Sequence, residues 1–183
     1  IGEIYVSDVG WGDVEELTII KEAASNLGWP LFEGLNAEAN YFPINIQNKD
    51  EPNPLNGIGG CTEPFFKFKD LIKQATADNI HTIYNPCNPS VPIASANENR
   101  FFHRIPALDW KHLEDSARVA VFSGNNYVIR QIGTPASGVP GIPFRGNSAT
   151  GGCWYNGTGF PLQYNDTYFV ADYGGNWIKN ITI

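Results

Sequence analysis

Residues 167–183 read TYFVADYGGNWIKNITI. Tyr173, Gly174 and Gly175 make a tight turn, and Trp177, Lys179, Ile181 and Ile183 then alternate along one face of a strand. Just upstream, CWYNG (153–157) and TYFVADY (167–173) are two more short strand patterns, each closed by Gly, Asn or Asp. Short strands with frequent turns and no strand–helix alternation point to an all-β fold: a sandwich, barrel or propeller. No partner for the last strand follows it, so its pairing is expected within material beyond this sequence.

Working back from there, GTPASGVPGIPFRGNSATGG (133–152) is a loop, and YVIRQI (127–132), ARVAVF (117–122) and FFHRIPALDW (101–110) carry strand patterns. At the other end EIYVSD (3–8) and EELTIIK (15–21) are strands flanking the turn GWGD (10–13). ASNLGWPLFEG (24–34) leads into an aromatic segment. Residues 35–100 lose regularity under a heavy load of Pro and Asn and read as an irregular insertion, with a short helix expected in FFKFKDLIKQATADN (65–79).

The composition fits this class. Gly, Pro and Asn are abundant and aromatic residues make up 13% of 183. The formal net charge of −7, with scattered Lys and Arg, argues against nucleic acid as a partner. No apolar run reaches the ~18 residues of a membrane-spanning helix. The chain starts directly in strand-like sequence and contains no Met, so both ends are expected to be cuts in a longer polypeptide.

The three cysteines form no CxxC pair, which disfavours zinc. Cys61 and Cys87 lie in loop sequence, GGCTEP and NPCNPS, and both the bridged and the free form are open. A bridge would staple the insertion and put the protein outside the cytoplasm, secreted or periplasmic. Cys153 reads as a buried thiol. Asn156, Asn165 and Asn180 begin glycosylation sequons, which count only in an organism that glycosylates.

Two stretches are more specific. GEIYVSDVGWGDVEELTIIKEAASNLGWPLFEG (2–34) resembles the segment of the glucose/sorbosone dehydrogenase family in which a D-x-G turn leads to E-E-(I/L) and then N-x-G-W-P. GGCWYNGTGFPLQYNDTYFVADYGGNWIKNI (151–181) is similar to that family's later G-G-x-x-Y-x-G…F-P…Y-F-x-x-D-Y pattern. Together they cover about a third of the chain, in the family's order. PNPLNGIGGC, FFKFKDLIKQ and PALDWKH further resemble a cysteine-containing insertion of large secreted members from Bacteroidetes-type bacteria.

The resemblance implies a six-bladed β-propeller, of which this chain would be two to three blades, with the remainder of the propeller as its partner. It also implies a quinoprotein sugar dehydrogenase using pyrroloquinoline quinone (PQQ) and Ca²⁺, in which an aldose gives up its C1 hydride to the quinone. Backbone carbonyls of Gly10 and Trp11 would help hold the Ca²⁺. The family often has proline where Trp11 stands, and an indole there would crowd the cofactor. The alternative is that Gly10 permits the turn and Trp11 packs against a neighbouring blade. Arg145, in a loop before a blade strand, would pair with a PQQ carboxylate or else stay solvated. The family's histidine base would lie before Ile1, and none of His81, His103 and His112 follows its motif. His112 has Asp109 and Asp115 close in sequence. Glu15 and Glu16 are a further Ca²⁺ candidate, but in a strand they face opposite ways. Asp172 and the Gly28–Trp29–Pro30 turn read as architectural.

Two functions follow. One is the C-terminal part of a secreted PQQ- and Ca²⁺-dependent aldose dehydrogenase. The other is a non-catalytic propeller that binds or displays within a large secreted protein.

Overall fold

The computed structural model describes residues 2–74, 82–93, 101–124 and 126–182. The chain is all-β, built from several small, mostly antiparallel sheets, none of them closed. Five strands form the largest sheet, in the order Ile4–Asp8, Val14–Ile20, Leu108–Lys111, Ala117–Ser123 and Asn126–Gln131, every neighbour antiparallel. Three form the second, a meander of Ala149–Tyr155, Thr167–Asp172 and Trp177–Ile181.

The Val14–Ile20 strand stands second in this sheet and is covered on both faces. Its odd-numbered residues face the three-stranded sheet: Leu17 joins Leu108, Trp110, Ala149 and Val170 in one core, and Glu15 reaches the Ala149 backbone. Its even-numbered residues face the other way, where Val14 lies against Gly34 and Glu16 opposes both Asp8 and Asp109 across the strands. The two sheets also meet through Tyr5, stacked on Tyr168 at 4.6 Å and edge-on to Trp154 at 5.5 Å.

The chain leaves the large sheet after Ile20 and rejoins it at Leu108, and residues 35–100 lie within this excursion. Their described part carries two-stranded ribbons, such as Gln47–Pro52 with Phe65–Lys67, one short helix, Phe68–Leu71, and a small core of Phe66, Leu71 and Ile83. Cys61 and Cys87 are joined as a disulfide across 26 residues. A core this small cannot hold its loops by burial alone. Closing a 26-residue loop removes about 3.5 kcal/mol of chain entropy from the unfolded state. Cys87→Ala is therefore expected to loosen the segment around Phe66 and Ile83 by about that amount while leaving the five-stranded sheet folded. Amide exchange resolved by segment checks this: equal protection in variant and wild type would contradict it.

Three expectations need correction. The final strand is paired within the chain: Trp177–Ile181 runs antiparallel to Thr167–Asp172 through a turn with Asn176 at positive φ. Residues 101–110 are not one strand. Phe101–Phe102 pairs with Ile72–Lys73 and Leu108–Lys111 joins the large sheet, because Pro106 has no N–H for a ladder and Arg104 donates its N–H to Asn26 O. Cys153 is exposed, not buried. The register of its strand shifts between Thr150 and Cys153, and this irregularity at Gly151–Gly152 turns the following side chains to the other face.

Candidate functional site

The GWGD turn (10–13) is held from outside. Glu33 Oε1 accepts the N–H groups of Gly12 at 3.1 Å and Asp13 at 3.4 Å. A Cβ on residue 10 would fall 1.6 Å from Val14 O, so only glycine allows the turn to close against its own strand. Glu38 does the same one loop further on, accepting from the backbones of Asn40 and Tyr41, each at 2.7 Å. These two carboxylates thereby place Trp11 and Tyr41 beside Trp29, which follows Gly28 (φ 99°) and precedes a cis proline. The three rings lie 5.6–6.1 Å apart, Trp11 edge-on to Trp29 and tilted on Tyr41. Trp11 is 65% exposed and Trp29 51%, so the cluster is a surface feature.

Glu33 and Glu38 also line a cavity of about 250 Å³, together with Asp13, Asn36, Lys111 and His112. His112 Nε2 lies 2.7 Å from Glu15 Oε1, while Glu15 Oε2 accepts the Ala149 N–H at 2.7 Å. Burial raises the Glu15 carboxyl above the ordinary range, and these two contacts pull it back. The imidazole is thus oriented by a fully buried carboxylate and borders a polar cavity. Asp109 is not its partner: Arg118 grips Asp109 with two nitrogens, at 2.6 and 2.9 Å. Nor is Asp115, whose carboxylate lies 3.8 Å from Arg145 Nε.

Glu16 belongs to a different environment. It is 6% exposed, its Oε2 has no hydrogen-bond partner, and it opposes Asp8 and Asp109 across the sheet. Burial first, then the charges of Asp8, Asp109 and Glu33, push its carboxyl up to about 8. Glu15 and Glu16 do not share a site. Among the described residues, no three His, Cys, Asp or Glu side chains converge as metal ligands.

Arg145 is 60% exposed at its side chain and donates to Leu113 O at 3.3 Å. Its guanidinium contacts are Asp115 and Leu113, not the Gly10–Trp11 turn; its carbonyl accepts the Trp177 indole N–H at 2.7 Å. His103 is buried, stacked on Phe32 at 4.7 Å and bonded to Gln74. Burial lowers its imidazole to about 4, and its role is structural. His81 lies outside the described residues.

The motif reading located Gly10, Trp11, His112 and Glu15, the last as a Ca²⁺ candidate rather than as the partner of His112, but not Glu33 and Glu38, which hold the two loops. Glu33 caps backbone N–H groups 20 and 21 residues away, which nothing local marks, and Glu38 caps N–H groups two and three residues on, in a stretch with no period to point to it. The chain matches no protein-family model, no curated protein and no solved structure.

Proposed function

We propose that this chain is part of a glucose/sorbosone dehydrogenase-like six-bladed β-propeller, two to three of its blades, in a secreted protein that recognises sugars. The observation that carries the sugar reading is the polar cavity beside the Gly10–Trp11 turn. Its carboxylates, Asn36 and Lys111 are acceptors and donors for hydroxyl groups, and its imidazole is fixed by Glu15. The Cys61–Cys87 bridge supports an oxidising compartment. The three-stranded meander and the antiparallel large sheet are compatible with successive blades, and the rest of the propeller is the partner this reading requires.

The redox reading, a PQQ- and Ca²⁺-dependent aldose dehydrogenase, rests on the resemblance of the Asp8–Trp11 turn and on Arg145, whose guanidinium is only loosely engaged. The residues of this chain do not by themselves fit the quinone. PQQ is a tricarboxylate, whereas the cavity walls carry Asp13, Glu33, Glu38 and Glu114 against Lys111, which is paired with Glu114, and Arg118, which is committed to Asp109. Redox chemistry on PQQ therefore requires further cationic contacts from the other blades. The geometry favours recognition.

The test is saturation-transfer NMR of aldoses with the natural protein that carries this chain. Lys111→Met and His112→Gln are each expected to weaken aldose binding about tenfold, the loss of one good hydrogen bond to a ligand. The Lys111 ammonium is partly exposed and paired with exposed Glu114 at 3.1 Å, so its variant is expected to keep the fold. Absence of aldose binding, or binding unchanged in both variants, overturns the reading.

A further inference from the structure

We infer that Trp11, Trp29 and Tyr41 are a stacking platform for a neutral pyranose chain, which extends from a terminal sugar seated in the cavity. This deepens the proposed sugar recognition and rests on it. Two large, flat indoles half or more exposed are unusual on a surface unless something covers them. Trp and Tyr offer broad rigid faces at little cost in side-chain entropy, and the C–H faces of equatorially substituted pyranoses are apolar plates of matching size.

Placement is the second argument. The carboxylates that hold the Trp11 turn and the Tyr41 loop, Glu33 and Glu38, are also walls of the cavity. Platform and cavity are thus two sides of one construction, and a chain one sugar long fills only the cavity.

Charge and packing narrow the ligand. The cavity walls next to the rings are rich in carboxylates, which disfavours uronic or sulfated sugars. A quaternary ammonium would suit the charge but needs an open cage, whereas these rings pack against each other at 5.6–6.1 Å and leave only outward faces.

The experiment is calorimetric titration of the natural protein with glucose, cellohexaose and oligogalacturonate, repeated with Trp11→Ala and with Trp154→Ala as a remote aromatic control. Cellohexaose is expected to bind about tenfold more tightly than glucose, from stacking on the platform. Trp11→Ala should abolish that gain and leave glucose binding intact, and Trp154→Ala should change neither. If glucose binds but cellohexaose gains nothing, or the gain survives Trp11→Ala, the platform is overturned while sugar recognition stands. Tighter binding of oligogalacturonate also overturns it. If neither neutral sugar binds, both readings fall, and the rings are then cover for another part of the parent protein.

Discussion

Glu16→Gln is expected to stabilise the protein at alkaline pH and to remove most of a downward slope of stability between about pH 4.5 and 8. The carboxyl is buried on the Val14–Ile20 strand, one oxygen has no partner, and Asp8 and Asp109 stand opposite it. Its folded value of about 8 lies above the unfolded 4.5. Between those values the folded chain holds the proton more tightly than the unfolded chain, so stability is greatest below 4.5 and falls as pH rises to about 8. The shift corresponds to roughly 5 kcal/mol at pH 9. Glutamine keeps the shape, cannot ionise, and removes that cost.

Urea denaturation at pH 5.5, 7 and 9 reads this directly. The difference between variant and wild type isolates Glu16 from His103, whose lowered value makes stability rise with pH between about 4 and 6.5. A difference that does not grow with pH would contradict the assignment.

Asp172→Ala should cost roughly 3–5 kcal/mol. This buried carboxylate ends the Thr167–Asp172 strand and accepts from four groups: the indole of Trp110 at 2.9 Å and the backbones of Asn147, Ser148 and Gly175. It therefore ties the three-stranded sheet to the core tryptophan of the five-stranded one. Alanine leaves all four donors without a partner, three of them main-chain. Gly146 reflects the same constraint, since a Cβ there would sit 2.2 Å from the carboxylate. Asp172→Asn keeps one acceptor oxygen but turns an amide toward donors, and should fall between the two. A loss below about 1 kcal/mol for alanine would mean the clasp is ornamental.

Strand positions were legible wherever one face alternates locally. Ile4–Asp8, Val14–Ile20, Ala117–Ser123, Asn126–Gln131 and Trp177–Ile181 all fall within a residue or two of the sequence pattern. What the pattern hides is partnership. Glu15 and His112 are 97 residues apart, and Glu15 and Ala149 are 134 apart, so no spacing rule joins them. Cys153 shows how one irregularity defeats a face assignment: period-two reasoning holds to Thr150 and fails beyond the register shift. In the described part of residues 35–100 the disulfide, the caps and the short ribbons have no period to read. The acidic balance, read as an argument about partners, has a second role inside the fold. Glu15, Glu33, Glu38, Asp109 and Asp172 each accept from backbone N–H groups and pin loops to sheets.

The most direct test of the account is a crystal structure of the intact natural protein grown with an aldose. The account predicts that the five-stranded and three-stranded sheets stand as successive blades of a six-bladed ring, with the sugar in the cavity between Lys111, His112 and Glu38. Two sheets closed on each other as a self-contained sandwich, or a sugar bound away from Lys111 and His112, would contradict it.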